Sequence, residues 1–239
     1  MPEKITIHDN ELILRALQRR MLGGRRHNFK MLVWNLTIAL SNRLKRYFDF
    51  FVSLFGIILL SPFLILMAIL IKLDSKGPII YQQIRVGQYG RHFNFLKFRS
   101  MCFNADTLKK DLLKYNESVD GVLFKMKNDP RVTRVGRLMR KFSIDELPQL
   151  FNVLLGDMSL VGPRPPLPSE VKKYTLEDRK RLNVCPGITC IWQTSGRSET
   201  SFQEQVELDK EYIASKGLLQ DLWILFKTIP AIFIGRGAY

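Results

Sequence analysis

The 239 residues carry 37 Lys and Arg against 22 Asp and Glu, a formal net charge of +15, and 46% of them are hydrophobic. This composition excludes a disordered chain, and 15 Gly with 11 Pro exclude collagen-like or low-complexity sequence. A folded chain with so large a positive excess meets an anion, and composition leaves nucleic acid, an anionic membrane surface and a phosphorylated substrate open.

Cysteines are confined to Cys102, Cys185 and Cys190 and histidines to His8, His27 and His92. Neither set has the spacing of a disulfide framework, a zinc site or a His-based triad, and such free thiols suit a reducing, cytosol-facing compartment. The first residues, MPEKITIHDNELIL, lack the basic-then-apolar layout of a signal peptide.

In chain order, residues 11–22 place Leu14, Leu17 and Met21 on one helical face and Arg15, Gln18, Arg19 and Arg20 around the other. This predicts a basic amphipathic helix that ends at Gly23-Gly24. The stretch FKMLVWNLTIAL at 29–40 is too short to span a bilayer but carries Trp34, so it is read as interfacial or as a core helix.

Phe50 to Ile71 is a run without a charge, long enough to cross an apolar layer of about 30 Å. Ser61-Pro62 falls at its middle, where proline removes a backbone donor and predicts a kink. Arg43, Lys45 and Arg46 precede the run while Lys72 and Lys76 follow it, so the positive-inside tendency draws both ends toward the cytoplasm. A helix bent at Ser61-Pro62 that re-enters the same leaflet and a kinked span both satisfy these features, the serine hydroxyl serving the carbonyl that proline frees.

From Ile79 the pattern turns to β. Two β-rich runs around a Gly87 to Gly90 turn predict a hairpin, with Phe93, Phe95, Lys97 and Arg99 on one face so that Lys97 and Arg99 project together. Residues 133–142 read as a short helix with Val135, Leu138, Met139 and Phe142 inward and Arg134, Arg137, Arg140 and Lys141 outward.

The acids Asp145 and Glu146 then interrupt the cationic stretch. Ser143-x-x-Glu146 matches a capping box, but Pro148 would then sit inside the helix, so a helix from about Asp145 to Leu155, ended by Gly156, is the expectation. An Asp at a helix start among cations suits a carboxylate nucleophile, and a phosphate can approach the same positive end.

Arg164 is held between Pro163 and Pro165, which nearly fixes its backbone and lets its guanidinium take a phosphate with little ordering cost; a polyproline-type linker is the alternative. Asp157 reads as a metal helper or, more simply, a turn residue. Thr194 to Ser198, including Arg197, forms a phosphate-capable loop, and Ser201-x-x-Glu204 caps a helix from Phe202 to Ser215. The C-terminal GLLQDLWILFKTIPAIFIGRGAY, with Trp223, Lys227 and Arg236, is a second candidate for lying on lipid.

KFRSM at 97–101, RKFSIDELPQLFNVLLGDMSLVGPRP at 140–165, PGITCIWQTSGR at 186–197 and the terminal GRGAY resemble the bacterial sugar transferases, the monotopic phosphoglycosyltransferases that start glycan assembly on a polyprenyl phosphate. The resemblance runs from about Arg46 to the C-terminus. It implies transfer of a sugar-1-phosphate from a nucleotide diphosphate sugar, usually a UDP-hexose, to polyprenyl (undecaprenyl) phosphate with release of UMP. On the matching positions it implies Asp145 as nucleophile forming a covalent phosphosugar intermediate, Glu146 beside it, Mg²⁺ held by the two carboxylates, and Lys97, Arg99, Arg140 and Arg164 as substrate cations, to which the 194–198 loop adds Arg197 as a substrate-binding candidate. It also implies a re-entrant helix kinked at Ser61 and Pro62, which resolves the topology left open above.

The resulting expectation is an α+β, mainly helical chain: an interfacial region 1–42, a membrane helix with its flanks 43–76, a catalytic domain 77–217 with a β-hairpin, and an interfacial segment 218–239. The implied location is the bacterial inner membrane with the catalytic domain facing the cytoplasm, and homo-oligomers are allowed. Nucleic acid is not an expected partner. The competing class is a membrane-anchored basic module that binds polyanions, or serves structurally, without catalysis; it accounts for the charge, but the acids at 145 and 146 would weaken such a patch.

Overall fold

A computed structural model describes residues 7–112, 114, 126, 128–195 and 200–234, with the side chains of the first helix described from Asn28 onward. The chain is mainly helical. It divides into two compact units, Met1–Lys45 and Arg46–Tyr239. Arg197 and the segment 196–199 lie outside the described residues, as do the side chains of the 11–22 amphipathic pattern.

Helix α1 is Ile7–Asp74. It does not stop at Gly23-Gly24, since glycine in a helix interior costs only about 1 kcal/mol and helical neighbours on both sides carry it through. Within it Asn28–Asp74 is apolar and long enough to cross a membrane by length and composition, its most apolar window reaching a mean hydropathy of 2.9. In the first unit Phe29, Leu32, Trp34, Leu36 and Leu40 are exposed.

In the second unit the same helix shows one packed and one bare face. Ser53, Met67 and Ile71 are buried, whereas Phe51, Phe55, Ile58, Leu59 and Ile65 are open. The helix assignment continues through Pro62. Proline offers no N–H to the carbonyl of Ile58 four residues back, and the Ser61 hydroxyl donates to that carbonyl at 2.8 Å instead.

Strands β1, Ile80–Val86, and β2, His92–Phe98, form the expected antiparallel hairpin around a 3₁₀ turn at Gln88–Gly90. Helix α2 follows at Ala105–Leu112, and α3 at Arg134–Lys141 with Thr133 as N-cap. Gly136 permits α3 to touch the hairpin's exit, because a Cβ there would stand 2.0 Å from the Ser100 carbonyl oxygen. Met139 is fully buried in α3, but Leu138 is 54% exposed rather than inward: it lies about 100° around so short a helix from Met139.

The expected helix from Asp145 is two pieces. A 3₁₀ turn covers Ile144–Glu146, and α4 is Gln149–Leu155 with Pro148 as its N-cap, where a missing N–H costs nothing. Gly156 closes α4 at φ +97°, a left-handed cap.

Two three-residue strands that sequence patterning did not reveal follow: β3, Ser159–Val161, pairs in parallel with β4, Gly187–Thr189, across α5, Pro168–Val171. Helices α6, Ile191–Ser195, α7, Phe202–Ser215, and α8, Leu218–Ile234, complete the unit, and α7 carries the predicted Ser201/Glu204 capping box. Ile224 of α8 is buried while Leu219, Trp223, Phe226 and Ile229 face outward.

Two apolar clusters meet at the hairpin. Phe95 joins Val153, Met158, Leu160, Val161, Tyr212 and Ile224. Phe98 joins Met67 and Ile71 of α1 and Met139 of α3, with Ile144 packed against them. Opposite faces of one strand therefore anchor the C-terminal core and the apolar helix, and the 144–146 turn lies beside the second cluster.

Candidate active site

Three attachments and one backbone turn fix the 144–146 segment. The Asn152 amide of α4 binds the edge of β2, accepting from Leu96 N–H at 3.0 Å and donating to Asn94 O at 2.8 Å. Arg46 of α1 donates to the last α4 carbonyls, Val153 O at 2.5 Å and Leu154 O at 2.8 Å. Asp74, at the other end of α1, accepts from Val135 N–H of α3 at 3.1 Å. Ser143, between α3 and the turn, is left-handed at φ +54°, a conformation that costs a non-glycine residue roughly 1 kcal/mol and sharply redirects the chain.

This placement buries Asp145 to 6% exposure against the hairpin. The Lys97 ammonium donates to Asp145 Oδ2 at 3.3 Å and to Glu146 Oε1 at 2.8 Å, and Arg164 Nη1 donates to the same Glu146 oxygen at 3.0 Å. Burial alone would push the Glu146 carboxyl up, but Lys97 and Arg164 together hold it well below the usual carboxylate range. Burial works against the Arg164 charge, but Glu146 overrides it and raises the guanidinium pKa. Glu146 is thus ionised at neutral pH and offers no proton.

Asp145, Lys97 and Arg164 line one cleft of about 570 Å³ together with Arg99 and Arg140. Among the described residues its lining holds seven basic side chains against three carboxylates, a cavity whose charge calls for an anion. Lys97 and Arg99 do not project together: β2 ends at Phe98, and the Arg99 guanidinium turns to the exit of α1. It donates there to Ser75 O at 2.6 Å, Ser75 Oγ at 3.0 Å, Ile71 O at 3.4 Å and Pro78 O. Asp157 is exposed beyond Gly156 and is absent from the cleft lining.

Among the cleft residues that sequence reading missed are two groups of charged side chains. Asp129 and Arg131 form a buried ion pair, Arg131 Nε lying 2.9 Å from Asp129 Oδ1 while Nη1 donates to Ala105 O at 3.2 Å. The signal was the turn dipeptide Asp129-Pro130 between cations. Arg85 also faces the cleft, and the period-two alternation that placed Lys97 would have placed Tyr81, Gln83 and Arg85 beside it.

Comparison with known proteins places the chain in a family. A model of the bacterial sugar transferase family matches residues 40–235. The galactosyl transferase CpsE of Streptococcus agalactiae is 45% identical over 195 residues, 81% of this chain and 43% of the relative. The undecaprenyl-phosphate galactose phosphotransferase of Salmonella typhimurium is 43% identical over 86% of this chain and 44% of its own length. The exopolysaccharide production protein ExoY of Sinorhizobium fredii is 41% identical over 82% of this chain and 88% of its own. The chain belongs to the bacterial sugar transferase family, and it spans less than half the length of the first two relatives.

Proposed function

We propose that this protein transfers a sugar-1-phosphate from a nucleotide diphosphate sugar, a UDP-hexose, to polyprenyl phosphate at the cytoplasmic face of a bacterial inner membrane, releasing UMP. The observation that carries the reading is Asp145: a buried carboxylate lining an anion-demanding cleft, paired with Lys97 and flanked by the Glu146–Arg164 pair. Phosphoryl transfer is mostly positioning and charge neutralisation, and these side chains supply both.

In the first step an Asp145 oxygen attacks the phosphorus that bears the sugar, and the bond from that phosphorus to the UMP oxygen breaks. In the second, an oxygen of the lipid phosphate attacks the same phosphorus, and the aspartyl oxygen leaves as free carboxylate. Lys97 offsets the repulsion between Asp145 and the diphosphate, and Glu146, fixed as an anion, orients Lys97 and Arg164 toward the cleft. Arg140 adds charge at the cleft wall.

Mg²⁺ fits this carboxylate pair. Only one oxygen of each acid, Asp145 Oδ2 and Glu146 Oε1, accepts a hydrogen bond among the described residues, so each carboxylate would still have an oxygen with which to hold the ion. No larger group of His, Cys, Asp or Glu gathers among the described residues, so Asp145 and Glu146 would be the residues that hold it. When bound, the ion neutralises charge on the diphosphate.

The apolar helix is read as re-entrant. Both flanks of its 46–74 stretch bond to one soluble unit, through Arg46 to α4 and Asp74 to α3, which supports placing them on one side of the bilayer. The outward apolar residues of α8, with Lys227 Nζ 3.5 Å from the Trp223 ring, suit a second contact with lipid. The test is conversion of labelled UDP-sugar and undecaprenyl phosphate into a lipid diphosphosugar by purified protein. Failure across a panel of UDP-sugars would contradict the reading.

A further inference from the structure

Three alternating residues of β1, Tyr81, Gln83 and Arg85, present their side chains to the cleft. Across the hairpin they stand opposite Lys97, Phe95 and Phe93. They form a line of hydrogen bonds along the strand: Arg85 Nε donates to Gln83 Oε1 at 3.0 Å, and Gln83 Nε2 donates to Tyr81 Oη at 3.4 Å. Arg85 Nη1 donates to Pro165 O at 2.9 Å, tying the guanidinium to the residue after Arg164. Its position is therefore fixed before any ligand arrives.

No carboxylate pairs with Arg85 among the described residues, and its Nη2 takes no protein hydrogen bond there. The strongest neighbouring charge is of its own sign, Arg164, with Glu170 and Glu146 pulling more weakly the other way. Arg85 Cζ lies 5.2 Å and Lys97 Nζ 5.7 Å from the centre of the buried Phe95 ring, with Arg164 adjoining. Of the two nearby acids, Glu146 is already shared by Lys97 and Arg164, and Glu170 accepts from the Leu167 N–H at 2.8 Å. Burial, and after it the Arg164 charge, push the Arg85 guanidinium down to about 10. An oriented guanidinium with donors to spare, held beside like charge, is completed by an incoming anion.

We propose that Arg85 is a further phosphate-binding residue of this cleft and, with Arg164, takes oxyanions of the donor's diphosphate rather than the phosphate of the lipid acceptor. The inference rests on the reading that the cleft binds a nucleotide diphosphate sugar. The donor is favoured because its diphosphate offers two adjacent phosphates to two adjacent guanidiniums, whereas the acceptor brings one.

Calorimetric titration of purified, detergent-solubilised full-length protein separates the alternatives without requiring turnover. UDP is the donor probe and a short-chain polyprenyl phosphate the acceptor probe. Arg85→Gln should weaken UDP binding about tenfold or more and leave polyprenyl phosphate within about twofold, the retained lipid affinity showing that the fold is intact. Arg85→Lys should recover part of the loss through charge alone. UDP affinity unchanged in Arg85→Gln overturns the role of Arg85, and loss confined to the lipid phosphate overturns its assignment to the donor. Equal loss of both ligands with a lowered melting temperature marks a structural residue and overturns it as well. If the unsubstituted protein fails to bind UDP, the donor reading itself falls and this inference with it.

Discussion

Arg164 Nη1 and Lys97 Nζ converge on a single oxygen, Glu146 Oε1, at 3.0 Å and 2.8 Å. One carboxylate thereby fixes two cations, and the same ammonium reaches the neighbouring carboxylate of Asp145. The pair of acids divides into one that organises charge and one that faces the cleft.

This arrangement has a pH signature. The Glu146 pKa is depressed, so the stability it contributes is fully present above the ordinary glutamate value of about 4.3 and is lost as pH falls below it toward the depressed value. Lys97→Met removes one of the two cations. The acid-side loss of stability should move up by about one pH unit, visible in melting temperatures measured from pH 3 to 7 on the order of half a unit apart. An unmoved acid limb would contradict the assignment.

Arg99 should behave as a structural arginine. Arg99→Ala strips donors from the carbonyls at the exit of α1, which costs about 3 kcal/mol and lowers the melting temperature by roughly 5–10 °C. The donor KM of whatever fraction remains folded should change less than twofold. A donor KM raised tenfold in a protein of unchanged stability would return Arg99 to the substrate.

The sequence showed the hairpin and the Ser201/Glu204 cap, because strand alternation and capping chemistry are local signals; that Asp145, Lys97, Arg140 and Arg164 line one cleft was implied only by the resemblance to a family, since their meeting is long-range. It did not show where Arg99 points. That depends on β2 ending at Phe98 and on carbonyls more than twenty residues away. The three-residue strands β3 and β4 were invisible for the same reason, since three residues carry no period and their pairing spans the intervening 162–186. Gly136 reads as a helix weakness until the Ser100 carbonyl is seen against it.

Ser61 offers a check on the membrane helix. Ser61→Ala leaves the Ile58 carbonyl without the hydroxyl that replaces the missing proline N–H, and should cost about 1 kcal/mol in detergent unfolding.

Re-entry carries its own prediction. Tyr47 and Lys76 are both exposed and flank the apolar stretch. Cysteines placed singly at these positions should both resist a membrane-impermeant thiol reagent in intact cells and both react after the cells are opened. Labelling of only one from outside would establish a spanning helix.

The central claim is a bond between Asp145 and phosphorus. Purified protein mixed with a UDP-sugar and Mg²⁺ in the absence of lipid acceptor should gain the mass of one sugar phosphate. Peptide mapping should place that mass on Asp145, and it should disappear when polyprenyl phosphate is added or when Asp145 is replaced by Asn. Turnover that proceeds with no adduct, or with the adduct on another residue, would contradict the account.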